Sequence, residues 1–234
     1  MCGRIALYDD PDHLARLLHA GVDPELLSDW KPAWNVAPTD SLLGVSERHG
    51  ERTLRAYSWG LVPGWSKTAQ MKGTFNARAE SVATKPAFRT AFRKGRILVP
   101  VDAFYEWSKL GPKEKQPYAF RRADGDPIVF AGLREWWRGH DGTELNSATI
   151  ITTEAGPDMP IHNRQPVVLE PDNWERWLDP TVSDPERLMA LLVPTVEGTL
   201  VHHAVDRAVG NVRNDGPELM EAVALQGDLG LNSQ

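Results

Sequence analysis

The middle of the chain is a series of short apolar or aromatic runs separated by turn-forming residues. Glycine, proline and aspartate cluster between the runs, as in Asp124-Gly125-Asp126-Pro127, and such clusters favour turns between strands. Most gaps are too short for a crossover helix, so we expect neighbouring strands to pair in antiparallel fashion. The predicted central strands cover residues 97–101, 103–108, 118–122, 128–133 and 148–153.

The flanking segments contain further strands and several short helices. Asp10 and Pro11 predict the start of a helix whose apolar stripe is formed by Leu14, Leu17 and Leu18. Further strands are predicted at 42–46, 53–60, 166–169 and 200–205, and further helices at 86–94, 171–178 and 185–192.

These elements indicate the α+β class, because closely spaced strands dominate and the helices lie mostly outside them. We expect a single domain over residues 1–226, with a mostly antiparallel sheet or open-barrel core and peripheral helices. Residues 227–234 are predicted to form a flexible tail. No repeat or low-complexity tract divides the chain.

Charge is distributed unevenly along the 234 residues. The formal net charge is −6, yet residues 66–122 contain 13 Lys and Arg against 4 Asp and Glu. A basic segment in an acidic chain is typical of a surface that binds a polyanion, and it is equally typical of a solvated, lysine-rich face. No apolar run of about 18 residues and no signal peptide is present, so we expect a cytoplasmic protein without a membrane partner.

The single cysteine, Cys2, excludes an intramolecular disulfide and a four-cysteine zinc site. Initiator methionine is generally removed before a small second residue, so the mature chain would begin with Cys2. Cys2 would then carry a thiol beside an α-amine of pKa roughly 7.7–8.0. The amine can form a Schiff base with an aldehyde, and the thiol can close a thiazolidine ring on the imine carbon. Two alternatives stay open: a hydrolase whose thiol attacks a carbonyl, and a cysteine without a function.

Two residues are candidates for proton transfer. Glu106 lies in the strand segment Phe104-Tyr105-Glu106-Trp107, where aromatic neighbours would remove the carboxylate from water and favour its protonated form. This environment suits a general acid or base, although strand alternation equally allows Glu106 to face solvent. His162 lies in a predicted loop and could transfer a proton near neutral pH, but it is one of 7 histidines.

Asn76 and Arg78 follow a loop that contains lysine and glycine. Asn76 could hold an amine or a carbonyl through its amide, and Arg78 could bind a phosphate, while both could equally cap a surface segment. Among the 9 tryptophans, Trp59, Trp65 and Trp107 could stack on bases beside a basic groove, although such residues more often belong to the core. No HExxH or comparable spacing predicts a metal site.

Together these segments resemble the SOS-response-associated peptidase (SRAP) family of abasic-site processing proteins. Each motif is short, but their joint occurrence in this order is specific, and the resemblance covers nearly the whole chain. The matching segments are Met1-Cys2-Gly3-Arg4, Asn35-Val36-Ala37-Pro38, Trp59-Gly60-Leu61-Val62-Pro63-Gly64-Trp65, Asn76-Ala77-Arg78-Ala79-Glu80, Phe104-Tyr105-Glu106-Trp107, Ile161-His162-Asn163-Arg164 and Ala208-Val209-Gly210-Asn211-Val212.

The resemblance implies a domain that binds single-stranded DNA, including single-strand/double-strand junctions. It implies that Cys2 links to the ring-opened sugar of an abasic site through a thiazolidine. Asn76 would orient the N-terminal residue, Glu106 would handle protons during Schiff-base formation and ring closure, and His162 would help to open the sugar.

The resemblance also implies a set of DNA-binding residues around the lesion. Arg4 and Arg78 would hold phosphates, and Trp65 or a neighbour would fill the space next to the missing base. The implied DNA-binding set is Arg4, Asn35, Pro38, Trp65, Arg78, Trp107 and Arg164.

The sequence therefore predicts a monomeric abasic-site sensor that forms a covalent DNA–protein crosslink, shields the site, and needs no metal or other cofactor. It would associate with the nucleoid when bound to DNA, and lyase and autopeptidase activities are further expectations. The alternatives are a thiol peptidase that uses Cys2 with His162 or Glu106 as base, and a non-covalent single-strand binding module. The family often has methionine where this chain has Gln165, which we expect to alter packing more than chemistry.

Overall fold

The computed structural model describes residues 2–69, 72–111, 114–182 and 184–225. Met1 and the tail predicted at 227–234 lie outside these ranges. Within them the strands are β1 (Ile5–Leu7), β2 (Gly21–Val22), β3 (Ala33–Val36), β4 (Ser41–Arg48), β5 (Glu51–Trp59), β6 (Asn76–Arg78), β7 (Arg96–Val101), β8 (Ala103–Lys109), β9 (Lys115–Arg122), β10 (Ile128–Arg138), β11 (Glu144–Glu154), β12 (Arg164–Pro166) and β13 (Leu200–Ala204). The helices are α1 (Pro11–Leu17), α2 (Pro24–Asp29), α3 (Ala79–Val82), α4 (Arg89–Lys94), α5 (Pro171–Leu178) and α6 (Pro185–Met189).

The larger sheet closes into a barrel. Its strands follow the order β12-β11-β10-β7-β4-β5-β2, with β6 paired to β11. β11 also pairs in parallel with β5, where Ala148 lies opposite Trp59, so β4, β5, β7, β10 and β11 form a closed ring. At Gly132 a Cβ atom would lie 2.5 Å from Cγ2 of Val99, so this position of β10 has no room for a side chain.

The smaller sheet places the N-terminal segment in the interior of the protein. Its five antiparallel strands follow the order β13-β9-β8-β1-β3. Phe104 stacks on Phe120 at a centroid distance of 4.9 Å, and it meets Phe130 of the larger sheet edge-on at 5.7 Å. Because β1 lies between β3 and β8, the residues just before it are held at the middle of this sheet, and Cys2 is fully buried there.

Three helices begin with the same local device, an aspartate followed by proline. The side chain of Asp10 accepts hydrogen bonds from the backbone N–H groups of Asp12 and His13, and Asp23 and Asp184 cap α2 and α6 in the same way. Proline suits the first helical position because the N–H it lacks would have no partner there. All the described helices are too short and too polar to cross a membrane.

The structure confirms the α+β class and the mostly antiparallel barrel-like core with peripheral helices. The five central strands are all present, although β10 and β11 extend beyond the predicted ranges. Parallel pairs were not expected, and they occur between β11 and β5, β11 and β6, and β2 and β5.

Three predicted boundaries are wrong. The strand predicted at 166–169 ends at Pro166, because the N–H and C=O of Val167 bridge β11 and β10 instead of continuing a ladder. The helix predicted from residue 86 starts at Arg89, and the one predicted to end at 192 ends at Met189. At both places the backbone forms tighter bonds three residues apart, which belong to turns rather than to an α-helix.

Candidate functional site

Cys2 lies at the centre of the candidate site. Its side chain is 0% exposed. The amide Nδ2 of Asn76 donates a hydrogen bond of 2.6 Å to the backbone oxygen of Cys2. Asn76 opens β6, where it lies opposite Ile150 of the barrel strand β11. The barrel therefore fixes the side chain that holds Cys2, although the two residues lie 74 positions apart.

The amide oxygen of Asn76, Oδ1, is also buried. Among the described residues, its Oδ1 has no hydrogen-bond partner. Asn76 is 8% exposed, so the alternative that it caps a surface segment is wrong. The buried surroundings of Cys2 thus contain an acceptor that can receive an N–H group.

Glu106 is the acidic residue buried beside Cys2. It lies on β8 opposite Tyr118 of β9 and is 3% exposed, so the alternative in which it faces solvent is wrong. Its carboxylate is close enough to Cys2 to raise the pKa of the thiol. Cys2, Asn76 and Glu106 therefore form one buried group, which we call the Cys2 cluster.

The thiol of Cys2 is strongly biased towards its protonated form. Burial raises its pKa far above the ordinary value, and the Glu106 charge raises it further. The Sγ atom lies 4.0 Å from the backbone oxygen of Arg4, to which it donates weakly. The folded protein at neutral pH therefore contains a neutral thiol rather than a preformed thiolate.

We expect Cys2 to react slowly with thiol reagents in the folded protein. Because burial excludes the reagent and the raised pKa removes the thiolate, the rate with iodoacetamide at pH 8 should be at least about tenfold lower in buffer than in urea. The single cysteine makes the readout by mass spectrometry unambiguous. Equal rates in buffer and urea would contradict a buried, protonated thiol.

His162 has a defined tautomer. The backbone N–H of Arg164 donates to its Nδ1 over 3.0 Å. A nitrogen that accepts a hydrogen bond carries no proton, so the neutral ring carries its proton on Nε2. Through Nε2 the neutral imidazole can act as a hydrogen-bond donor.

The side chain of Arg164 fixes the segment that carries His162. Its Nη1 and Nη2 donate to the two carboxylate oxygens of Glu80 over 2.7 and 3.1 Å, and Nη2 also donates to the backbone oxygen of Thr152 over 2.7 Å. The hydrogen bonds from Arg164 lower the pKa of Glu80. Both terminal nitrogens thus bond within the protein, and DNA binding by Arg164 stays a prediction.

Arg4 and Asn35 tie the N-terminal strand to the end of the chain. Nη1 of Arg4 donates to Oδ1 of Asn35 over 2.7 Å and to the backbone oxygen of Val209 over 2.6 Å. Nδ2 of Asn35 donates to the backbone oxygens of Asn211 and Asn214 over 3.0 and 2.7 Å. Both side chains are buried. They position β1, and a contact of either with DNA stays a prediction.

Replacing Asn35 by alanine should lower the free energy of unfolding by about 3 kcal/mol, because it removes three hydrogen bonds and leaves Arg4 and two backbone carbonyls each with one partner fewer. Urea denaturation would measure the change. Asn173→Ala on α5 is the matched control, and it should cost less than about 1 kcal/mol. A loss for Asn35→Ala no larger than that of the control would contradict this structural role.

Three other predicted DNA-binding residues differ in exposure. Trp65 is 62% exposed, on a loop whose Ser66 carbonyl accepts from Nε1 of Trp137 on β10. Trp107 is half-buried, and the guanidinium carbon of Arg4 lies 5.8 Å from its ring centroid. Arg78 is exposed on β6. Of these three residues, Trp65 and Arg78 are therefore the exposed ones that a partner can contact directly.

Pro38 lies in a strained turn. The N–H of Asp40 bonds to the oxygen of Ala37, and Thr39 between them has φ +86°, a conformation that usually requires glycine. The turn is held by the N–H of Thr39, which donates to the carbonyl of Trp59 over 2.8 Å. Trp59 itself is fully buried and belongs to the core. Strained turns of this kind occur preferentially at functional sites.

Several groups that hold the site residues in place were not identified from the sequence. The segment 208–212 matched a family motif without a role, and its Val209 and Asn211 carbonyls prove to accept from Arg4 and Asn35. Glu80 likewise stood in a matched motif, and the structure shows it paired with Arg164. Any residue type can supply a backbone carbonyl as acceptor, so residue identity does not predict these contacts. Only the recurrence of the motif in the family could have indicated them.

The barrel, the second sheet and the buried Cys2 cluster define an α+β protein with polar side chains buried around its second residue. The same fold occurs in a protein of known crystal structure from Bacteroides thetaiotaomicron, with a TM-score of 0.85 and 21% identity over 95% of this chain and 100% of that one.

Two curated relatives extend this likeness to whole sequences. Abasic site processing protein YoqW of Bacillus subtilis is 35% identical over 225 residues, which covers 95% of this chain and 100% of YoqW. Abasic site processing protein YedK of Escherichia coli is 34% identical over 227 residues, covering 95% and 100%. Residues 1–212 match the family model described as SOS response associated peptidase (SRAP). The chain belongs to the SRAP family.

Proposed function

We propose that this protein senses abasic sites in single-stranded DNA and forms a covalent thiazolidine crosslink through Cys2 after removal of Met1. The crosslink would shield the site from strand cleavage. The observation that carries the proposal is the 2.6 Å hydrogen bond from Asn76 to the backbone of Cys2 beside the buried Glu106. The names of YoqW and YedK as abasic site processing proteins support it.

The proposed reaction forms two bonds and releases one water molecule. The ring-opened abasic sugar presents an aldehyde at C1′, and the α-amine of Cys2 attacks that carbon. Loss of the former aldehyde oxygen as water gives the imine. The sulfur of Cys2 then bonds to the imine carbon, and the thiol proton moves to the nitrogen. The five-membered ring that results persists longer than the imine.

Asn76 and Glu106 would serve the two nucleophiles of Cys2. By holding the Cys2 carbonyl, Asn76 limits rotation of the residue, and its unpartnered Oδ1 can accept from the α-amine. Glu106 would take a proton from the attacking amine and return one to the departing oxygen. It would also take the thiol proton during ring closure, which matters because the thiol is not ionised beforehand.

His162 would act on the sugar before the crosslink forms. The abasic sugar is mostly a closed hemiacetal, and opening it requires a proton on the ring oxygen. The Nε2–H of the neutral His162 can donate a hydrogen bond to that oxygen and stabilise the charge that develops on it while a solvent proton arrives, given that its Nδ1 is occupied by the N–H of Arg164. Arg78 and Trp65, both exposed, would contact a phosphate and the space beside the missing base.

A thiol peptidase is the second candidate, and the family description supports it by name. Such an enzyme needs a thiolate or a base that readily makes one, whereas burial and Glu106 raise the pKa of the Cys2 thiol. An amine nucleophile with late entry of the thiol is easier to reconcile with this environment. We therefore place crosslinking first.

The test mixes protein confirmed by mass spectrometry to begin at Cys2 with single-stranded DNA that carries one abasic site. We expect a protein–DNA band that survives a denaturing gel, and none with undamaged DNA of the same sequence. Protein that retains Met1 is the matched control, because its Cys2 nitrogen is an amide and cannot form an imine. Absence of the band from correctly trimmed protein would reject crosslinking and favour the peptidase, which a peptide substrate would then reveal.

A further inference from the structure

A polar cleft of about 640 Å³ opens beside four strands of the barrel, outside the Cys2 cluster. Arg48 of β4, Arg55 of β5, Arg134 and Trp136 of β10 and Asn146 of β11 contribute to its lining. Strands of a barrel are rigid supports, so these side chains are held at fixed spacing rather than carried on a loop.

The cleft lies along the same strand as the Asn76 anchor. Asn146 precedes Ile150 by four residues on β11, and Ile150 lies opposite Asn76. Residues an even number of positions apart share a face of a strand, and four residues span about 13 Å. The cleft therefore lies about 13 Å along β11 from the residue that pairs with Asn76.

The charge of the cleft favours an anion. Three arginines converge from three strands, and only Glu51 among the lining residues is acidic. Arg55 pairs with Asp23 at 3.3 Å, an exposed pair of little strength. Among the described residues Arg48 and Arg134 form no ion pair, and the buried Nε of Arg134 has no hydrogen-bond partner. A phosphate in the cleft would pair with the free charges of these two guanidinium groups.

The cleft also contains an exposed aromatic ring. Trp136 is 44% exposed and lies opposite Asn146 in the β10–β11 pairing. An indole face next to arginines matches the requirement of single-stranded nucleic acid, which offers phosphates and unpaired base faces together. Inorganic phosphate has no aromatic group that could stack on Trp136. In duplex DNA the bases stack on each other, so their faces are not available to the ring.

We propose that this cleft is a second binding site for single-stranded DNA, which holds a phosphate at Arg134 and Arg48 and stacks a base on Trp136. The inference rests on the proposed function, because the occupant is the strand that carries the abasic site. In this proposal the cleft raises the affinity for the nucleotides that flank the abasic site, while the chemistry takes place at the Cys2 cluster.

The test measures fluorescence anisotropy of a labelled, undamaged single-stranded oligonucleotide with the full chain. Arg134→Gln and Trp136→Leu should each raise Kd about tenfold. Arg134→Gln should also reduce the magnitude of the log Kd against log salt slope by about 0.7, whereas Trp136→Leu should not change it. Arg138→Gln is the matched control, since Arg138 lies exposed on β10 outside the cleft, beside Glu144 at 3.8 Å, and its loss changes the net charge equally.

Wild-type Kd and slope in both cleft variants would overturn the inference. An equal loss in Arg138→Gln would overturn it too, since the effect would then be one of overall charge. A mononucleotide that competes as strongly as the oligonucleotide would assign the cleft to free nucleotides instead. Crosslinking at saturating DNA separates the two proposals: the cleft variants should crosslink like wild type, and failure of wild-type protein to crosslink rejects the proposed function while leaving the Kd comparison valid.

Discussion

Replacing Cys2 by alanine is expected to remove the persistent crosslink and to preserve the first covalent step. Alanine is small enough for Met1 to be removed, so the α-amine remains, but no second nucleophile closes a ring on the imine. The imine hydrolyses when the protein is denatured. The yield of crosslink that survives heating should therefore fall roughly 100-fold or more, because an intramolecular thiol has a very high effective concentration.

Reductive trapping distinguishes this outcome from a misfolded protein. Borohydride converts the imine to a stable amine, so Cys2→Ala mixed with abasic DNA and borohydride should give a band within a few-fold of wild type. The variant leaves a small cavity at a buried position, which should cost about 1 kcal/mol of stability. A heat-stable band from Cys2→Ala without borohydride would show that another residue forms the adduct.

Replacing Asn76 by aspartate should slow crosslinking about 100-fold, because loss of one well-placed donor in a buried site has an effect of that size. The side chains have nearly the same shape, but aspartate places an oxygen where Nδ2 now donates to Cys2. The new carboxylate oxygen and the backbone oxygen of Cys2 are both acceptors, so they would repel each other. A second negative charge would also lie beside Glu106. Cys2 would lose its orientation.

The rate is best measured in single turnover at saturating abasic DNA, together with Kd for undamaged DNA. Asn76→Asp should change the rate and leave Kd within about twofold, since Asn76 is buried and bonds to Cys2. Asn173→Asp on α5 makes the same chemical change away from the site, and it should change neither the crosslinking rate nor Kd. A change in Kd with an unchanged rate would move Asn76 from positioning Cys2 to holding DNA.

The strands of the barrel were predictable because apolar runs and turn residues alternate along the chain. β1 and β3 escaped prediction: β1 has three residues, all buried, and β3 has four in a proline-bearing segment. Neither strand is long enough to show the two-residue alternation of apolar and polar positions that indicates a strand. Their pairing with each other and with β8 depends on contacts between distant segments, which no local pattern records.

The candidate site shows the same division. The chemistry assigned to Cys2 came from the family resemblance and stays a prediction, and the burial of Glu106 was one of two open alternatives. The bond between Asn76 and Cys2 was not inferable from spacing, because it requires the parallel pairing of β6 with β11. The inward-facing amide of Asn35 was also unexpected, since its partners are backbone carbonyls near the end of the chain.

The hydrogen bond from Arg4 to Val209, which spans 205 positions, sets an order of events during synthesis. While the ribosome is still translating the middle of the chain, the N-terminal strand lacks this partner. The proposed function requires a free α-amine on Cys2, and Cys2 is enclosed once the chain has folded. We therefore expect Met1 to be removed most readily during synthesis, and chains that fold with Met1 in place to be inactive in crosslinking.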